Sequence, residues 1–248
     1  MPVARAAAAA VAFLTRVPVG RWVALDGADV ARGAALFPVV GAGVGALGGL
    51  VAAGLEGPLP ALVGASVGIA TVALVTGALH LDALADTADA IGGADRAEAL
   101  AIMRDSRVGS YGVTALALVL LVEAASLSGL AATSDAVAAF AVAGALSRAV
   151  SPPLARTLPY ARSDEGPGSV LSGRVSAVAA VGAPLIGAGT AVALLGWDGV
   201  VATGTAALVA LAAGIGCRLW LGGVTGDTLG AGTQIAEAVV LVVVLGLR

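Results

Sequence analysis

The segment His80-Leu-Asp-Ala-Leu-Ala-Asp-Thr-Ala-Asp89 gathers three carboxylates and a histidine into one short stretch. Asp82, Asp86 and Asp89 stand at i, i+4 and i+7, a spacing that puts all three on one face of a helix. The preceding residues 57–81 carry no charge beyond any on His80, so the acids lie at the mouth of a stretch built for lipid. Like charges this close repel one another, and near a membrane they are poorly solvated. A divalent cation with oxygen ligands resolves both difficulties, and Mg²⁺ is the usual choice where phosphates are handled. The pattern points to a metal-dependent phosphoryl-transfer site on a membrane protein.

Two further segments carry candidate chemistry. In Met103-Arg-Asp-Ser-Arg-Val-Gly-Ser-Tyr-Gly112, Arg104 and Arg107 at i, i+3 could clamp phosphate oxygens bidentately, with Asp105 between them. Ordinary positive-inside anchoring is the plain alternative. In the segment Gly222–Glu237, Asp227 either caps a helix beginning near Thr228 or faces a ligand. Gln234 and Glu237 follow it at i+7 and i+10, and polar groups at such depth usually face a cavity or a partner. His80 reads either as a hydrogen-bonding structural residue or as a ligand. Arg148 reads as a snorkelling cation at the inner surface; no role is assigned to Glu123.

The elements that must position these residues follow from composition. The chain is 59% hydrophobic and only 12% charged, outside the range of a soluble globular domain. Uncharged or nearly uncharged runs at 33–55, 57–81, 109–131, 135–152, 175–197, 199–217 and 229–247 predict about seven spanning helices. The fold class expected is therefore all-α, a polytopic membrane protein forming a single integral membrane domain over 1–248. All 13 basic residues are arginine. Counting spans from a cytoplasmic N-terminus puts every one except Arg248 inside, while the outer turns near Glu56, Asp135 and Asp198 carry acids. Inward loops at about 82–108, 149–174 and 218–228 then hold the candidate chemistry. Residues 6–14 predict a retained interfacial helix rather than a cleaved leader.

Glycines at Gly41, Gly45 and Gly49, and at Gly64 and Gly68, have the small-xxx-small spacing of closely packed membrane helices. Gly43-Val-Gly-Ala-Leu-Gly48 matches a dinucleotide fingerprint in letters only, since it lies inside an apolar run with no strand before it. The absence of lysine excludes a Walker loop and Schiff-base chemistry. Cys217, the sole cysteine, excludes an internal disulfide. No basic face with interleaved aromatics suggests nucleic acid as a partner.

The chain resembles the cobalamin synthase family, the adenosylcobinamide-GDP ribazoletransferases. The resemblance runs nearly end to end through Phe13-Leu-Thr-Arg-Val-Pro-Val19, Phe37-Pro-Val-Val-Gly41, the aspartate run, Met103-Arg-Asp-Ser-Arg107 with Gly109, Tyr111 and Gly112, Leu146-Ser-Arg148, Pro159-Tyr-Ala-Arg162 with Glu165-Gly166, and Thr225-Gly-Asp-Thr-Leu-Gly-Ala231. One departure is Ala83, where the family usually reads Asp-Gly. The resemblance implies a multi-pass enzyme of the bacterial inner membrane that needs Mg²⁺. It implies attack by α-ribazole, or its 5′-phosphate, on the cobinamide-linked phosphoryl group of adenosylcobinamide-GDP, with release of GMP. On that basis Asp82 and Asp86, with Asp89 or Asp105, are expected to hold metal. Asp89 or His80 is expected to accept the hydroxyl proton. Arg104, Arg107, Arg148, Arg162 and Asp227 are expected to bind substrate or phosphate. Membrane lipid is an expected partner and a homo-oligomer is left open. The rival readings are a CDP-alcohol phosphotransferase, whose aspartate motif requires an arginine that Asp82-Ala-Leu-Ala-Asp86 lacks, and a cation-coupled transporter.

Overall fold

A computed structural model describes residues 2–131, 135–162 and 167–248. The Glu165-Gly166 pair of the resemblance lies outside them. Among the described residues there are twelve α-helices and no strand: α1 (Pro2–Leu14), α2 (Gly27–Gly33), α3 (Phe37–Gly54), α4 (Ala61–Thr76), α5 (Leu79–Ala90), α6 (Arg96–Ile102), α7 (Ser110–Ala131), α8 (Ala136–Arg148), α9 (Ser151–Thr157), α10 (Ala177–Leu195), α11 (Trp197–Leu221) and α12 (Gly226–Gly246). Six stretches are long and apolar enough to cross a membrane, and a seventh results if α4 and α5 are joined. The chain is an all-α, multi-pass membrane protein. Leu74, Val178 and Leu219 are about four-fifths exposed on its flanks, where hydrocarbon replaces water.

The second span differs from the straight helix expected over 57–81. It breaks at Gly77 and Ala78, both with positive φ (65° and 57°), and α5 leaves α4 at 90°. Two successive left-handed residues cannot continue a right-handed helix, and at Ala78 this conformation costs roughly 1–2 kcal/mol. The chain after α1 covers the break: the Arg16 amide donates to the Val75 carbonyl at 2.7 Å, and a Cβ at Gly77 would run into the Arg16 side chain. Because of this bend the aspartates sit on an arm laid across the starts of α7 and α12.

The centre of the bundle is built on glycine. A Cβ at Gly41 would collide with the Gly144 carbonyl, one at Gly45 with the Phe140 carbonyl, and one at Gly49 with the backbone at Ala136 and Val137. These three, spaced by four, run antiparallel along α8 and let the two backbones touch. Gly64 and Gly68 do the same for α4 against α3, facing the Ala52 and Gly48 carbonyls. With no net hydrophobic gain between helices in lipid, such contact is what holds them. Gly43 meets nothing within 4 Å, and the fingerprint-like letters around it are plain helix.

At the opposite end from the aspartates, Arg248 pairs with Asp135 (3.1 Å) and Asp198 (3.3 Å). Arg248, the one arginine that the positive-inside count leaves outside, is thus neutralised by Asp135 and Asp198, tying the end of α12 to the starts of α8 and α11. Replacing Gly41 by Leu should lower the melting temperature of the detergent-solubilised protein by about 2–12 °C, given over-packing costs of ~1–3 kcal/mol. Gly43→Ala, on the open face of the same helix, should leave it unchanged; equal melting of the two variants would refute the packing account.

Candidate active site

The site is assembled by α12 and the loops that dock on its first turn. Thr225 is the N-cap: its side chain accepts from the Thr228 amide at 3.1 Å, while the Thr228 hydroxyl accepts from the Thr225 amide at 2.9 Å. This reciprocal box satisfies the helix start. Asp227, expected as a possible cap, is therefore left to other work, and its Oδ2 accepts from Arg162 Nη2 at 2.6 Å. Arg162 is brought there by backbone pairing, in which the Ala161 amide donates to Val224 (2.8 Å) and the Val224 amide to Pro159 (2.9 Å). Gly223 permits the approach, since a Cβ there would strike the Pro159 carbonyl. Arg96 locks the pairing from outside by donating to the carbonyls of Leu221 (2.7 Å) and Ala161 (2.8 Å).

The arm carrying the aspartates packs on the same turn. Gly230 lies so close to it that a Cβ would sit 2.5 Å from the Ala83 methyl. Ala83, the departure from the family's Asp-Gly, thus fills space against a glycine on α12. Asp82 is exposed and Asp86 half-buried. At Asp86 the charges of Asp82, Asp227 and Asp89 add, and Arg162 opposes them. Asp89 is held differently: its two oxygens accept from the amides of Gly109 (2.7 Å) and Gly112 (2.8 Å). It caps the start of α7, where the helix dipole favours an anion, and so stitches α5 to the Arg104–Gly109 loop.

The remaining candidates separate into two places. Asp105 and Arg107 pair with each other on the surface, Nε to Oδ1 at 3.0 Å, and the guanidinium pulls the Asp105 carboxyl down to about 2. A pair this exposed contributes little to stability. Arg104 lines a cavity of about 440 Å³ with Arg96 and Arg162. Arg148, expected to snorkel to the surface, is instead 4% exposed and turned inward. It forms an ion pair with Glu237, and its Nη1 donates to Ser147 Oγ at 2.9 Å. Its Nη2 faces His80 Nδ1 at 3.3 Å. A guanidinium only donates, so Nδ1 must accept and Nε2 carries the proton. In that tautomer His80 presents a donor, which weighs against it as the proton acceptor. Deeper still, Gln234 donates to Glu123 at 2.6 Å.

Asp82, Asp227, Arg162, His80 and Arg148 together border a cavity of about 160 Å³ whose other walls are mostly apolar, with Ser151 and Thr233 among them. Arg162 is nine-tenths buried, and its Nε has no hydrogen-bond partner among the described residues. A buried donor without an acceptor calls for a ligand, and beside Asp227 and Asp82 an anionic oxygen bridged to a cation suits it. Among the described residues no three His, Cys, Asp or Glu side chains form a ready cage for a metal. Mg²⁺ does not require one, since it is commonly held by one or two carboxylates plus substrate phosphates and water. Asp82 and Asp86, hard oxygen donors one helical turn apart, fit that mode.

The family model for cobalamin-5-phosphate synthase matches residues 6–245. The chain belongs to that family. It is 42% identical to the adenosylcobinamide-GDP ribazoletransferase of Azorhizobium caulinodans, covering 96% of this chain and 94% of the relative. It is 39% identical to the proteins of that name from Citrobacter koseri and Shigella flexneri, each over 96% of this chain and 98% of the relative. No solved structure matches.

The parts played by Arg96, Glu123 and Ser147 escaped the sequence reading. Arg96 had a signal: it is the first residue of α6 after the Asp95 cap, where the helix dipole disfavours a cation unless it is needed elsewhere. Glu123 and Ser147 had none, because their partners lie 111 and 90 residues away. Replacing Asp89 by Ala should speed amide hydrogen exchange at Gly109 and Gly112 by at least about tenfold, the loss of one charged hydrogen bond each. Asp86→Ala should not, and equal exchange in the two variants would remove the stitching role.

Proposed function

We propose that this protein transfers the adenosylcobinamide phosphoryl group from adenosylcobinamide-GDP to α-ribazole or its 5′-phosphate, in a Mg²⁺-dependent step in the bacterial inner membrane. GMP leaves, and adenosylcobalamin or its 5′-phosphate forms. The observation that carries this reading is the meeting of Asp82, Asp227 and the unpartnered Arg162 Nε at one cavity rim, in a chain of this family.

In the reaction the acceptor's 5′ oxygen forms a bond to the cobinamide-linked phosphorus, the bond from that phosphorus to the GMP oxygen breaks, and GMP departs with the electron pair. Such transfer leaves little covalent chemistry to the protein; positioning and charge do most of it. Asp82 and Asp86 would hold Mg²⁺, and the ion would supply positive charge to offset that of the diphosphate. Arg162 binds an oxygen of the transferring group through Nε while Asp227 fixes its other nitrogen. Arg148, anchored by Glu237, adds positive potential at the cavity floor. Arg104 offsets charge on the departing nucleotide from the neighbouring cavity. Asp89 holds the loop that carries Arg104 in register with α5. When the acceptor is a hydroxyl its proton passes to water or to the departing GMP phosphate, and in a loose transition state that transfer demands little help from a base.

The test is GMP release from adenosylcobinamide-GDP, with and without α-ribazole, across a Mg²⁺ titration. Asp82→Asn and Arg162→Ala should each lower turnover about 10²- to 10³-fold, the usual loss for a group that stabilises transition-state charge. Asp105→Asn should stay within about threefold, because its partner is the exposed Arg107. Full activity in chelator, or near-normal rates in Asp82→Asn at saturating Mg²⁺, would defeat the metal assignment.

A further inference from the structure

Two cavities meet at Arg162. One is the 440 Å³ groove it shares with Arg96 and Arg104. The other is the 160 Å³ cavity running inward from Asp82 and Asp227. Between the charged rim and the Arg148 floor, its walls come from segments that the phosphoryl chemistry does not use. Phe13 at the end of α1 and Phe37 at the start of α3 stack with ring centroids 5.5 Å apart and planes 7° apart, and Leu14, Leu79, Leu171 and Leu229 extend the apolar surface. Ser151 and Thr233 add two hydroxyl-bearing residues to this lining, and the Thr233 hydroxyl already donates to the Leu229 carbonyl at 2.9 Å.

Resting on the function proposed above, we infer that this inner cavity is the subsite for the base of the acceptor nucleoside, and that the arginine-lined groove takes the leaving nucleotide. Size decides first: an apolar cavity of about 150 Å³ holds a benzene ring, so this one, open at its mouth, accepts a small flat ring system and excludes a corrin. Chemistry decides next. The base of α-ribazole is a dimethylated benzimidazole, apolar but for one unsubstituted ring nitrogen that Ser151 can meet with its hydroxyl. Guanine bears donors and acceptors around its whole edge, and those turned to the part of the wall formed by Phe13, Phe37 and the leucines would go unpaired, at a cost of about 1–3 kcal/mol each. The guanine nucleotide is therefore directed to the polar groove. Attacking and leaving oxygens lie roughly in line through phosphorus. A residue that borders both cavities and has a free buried donor, as Arg162 does, suits the transferring group between them.

The test is steady-state kinetics of the full-length, reconstituted enzyme with each substrate varied in turn. Phe13→Ala removes one stacked ring, and Leu79→Phe narrows the cavity from a half-buried position. Each should raise KM for α-ribazole by about tenfold or more, in the range set by altered apolar pocket contacts, with KM for adenosylcobinamide-GDP within about twofold. The two variants perturb the cavity in opposite senses, so a folding defect in one leaves the other decisive. Wild-type enzyme should prefer α-ribazole over the corresponding adenine α-riboside, and Phe13→Ala should shrink that preference. An unchanged KM for α-ribazole in both variants, or a rise confined to adenosylcobinamide-GDP, would overturn the subsite while leaving the reaction intact. Wild-type protein that releases no GMP would overturn the reaction itself, and the subsite with it.

Discussion

Charged side chains placed within lipid need partners inside the protein, because hydrocarbon offers them no water. α12 meets this constraint at three depths. Asp227 at its start takes Arg162. Gln234, about 10 Å further along the axis, reaches Glu123 of α7, and Glu237, about 15 Å along, pairs with Arg148 of α8. Each pairing crosses to a different segment, so the polar column fixes where α7, α8 and the 159–162 loop stand around α12. Removing one partner would strand a buried charge, a loss of about 3–5 kcal/mol. The column therefore specifies the arrangement as well as tolerating it, and the cavity rim is its outermost rung.

Much of this was legible in the chain, and the reasons differ by element. The spans could be read because hydropathy and arginine asymmetry are local signals. The glycine seam could be read too: Gly41, Gly45 and Gly49 recur every four residues, and only a facing backbone explains why three such positions lack a side chain. The aspartate face of α5 was visible as periodicity. What the sequence concealed was pairing. Nothing near Arg148 shows that its counter-charge is Glu237, so it read as a surface cation. Asp227 stands inside Thr225-Gly-Asp-Thr228, where two threonines and an aspartate are all good cap residues, so the sequence could not tell which of them caps the helix. The sharp bend before α5 was hidden for another reason. Gly77-Ala78 carries only one of its two left-handed residues as glycine, and the alanine looks like ordinary helix.

The bend also explains how acids can belong to a membrane helix bundle at all. Had α4 continued straight, Asp82, Asp86 and Asp89 would follow the span axis, and their spread along it would exceed about 10 Å. Turned by 90°, the arm lies across the bundle mouth, which leaves Asp82 at the cavity rim and brings Asp89 to the start of α7. The left-handed Ala78 is local strain of about 1–2 kcal/mol, stored next to the site and held by Arg16 packed over Gly77. Asp89 secures the other end of the arm through the start of α7. Both ends of α5 are thus fixed by elements that take no part in the chemistry, which leaves its middle turn to do so.

A reaction between polar, phosphorylated molecules gains something specific from a helical bundle in lipid. A diphosphate-activated donor can be lost to water as readily as passed to an alcohol, and the protein must make the acceptor the nearer nucleophile. Here the charged rim is backed by apolar side chains, with the Phe13–Phe37 stack and surrounding leucines forming the wall. Such a wall holds little water, strengthens the electrostatic interactions at the rim, and is built by helices whose outer faces lipid already keeps dry. Small residues at the helix seams then supply the close packing that a soluble bundle would obtain from its own core. The membrane, on this view, is part of the site's construction: it permits a thin-walled, glycine-packed bundle to enclose an apolar cavity directly beneath a cluster of charge.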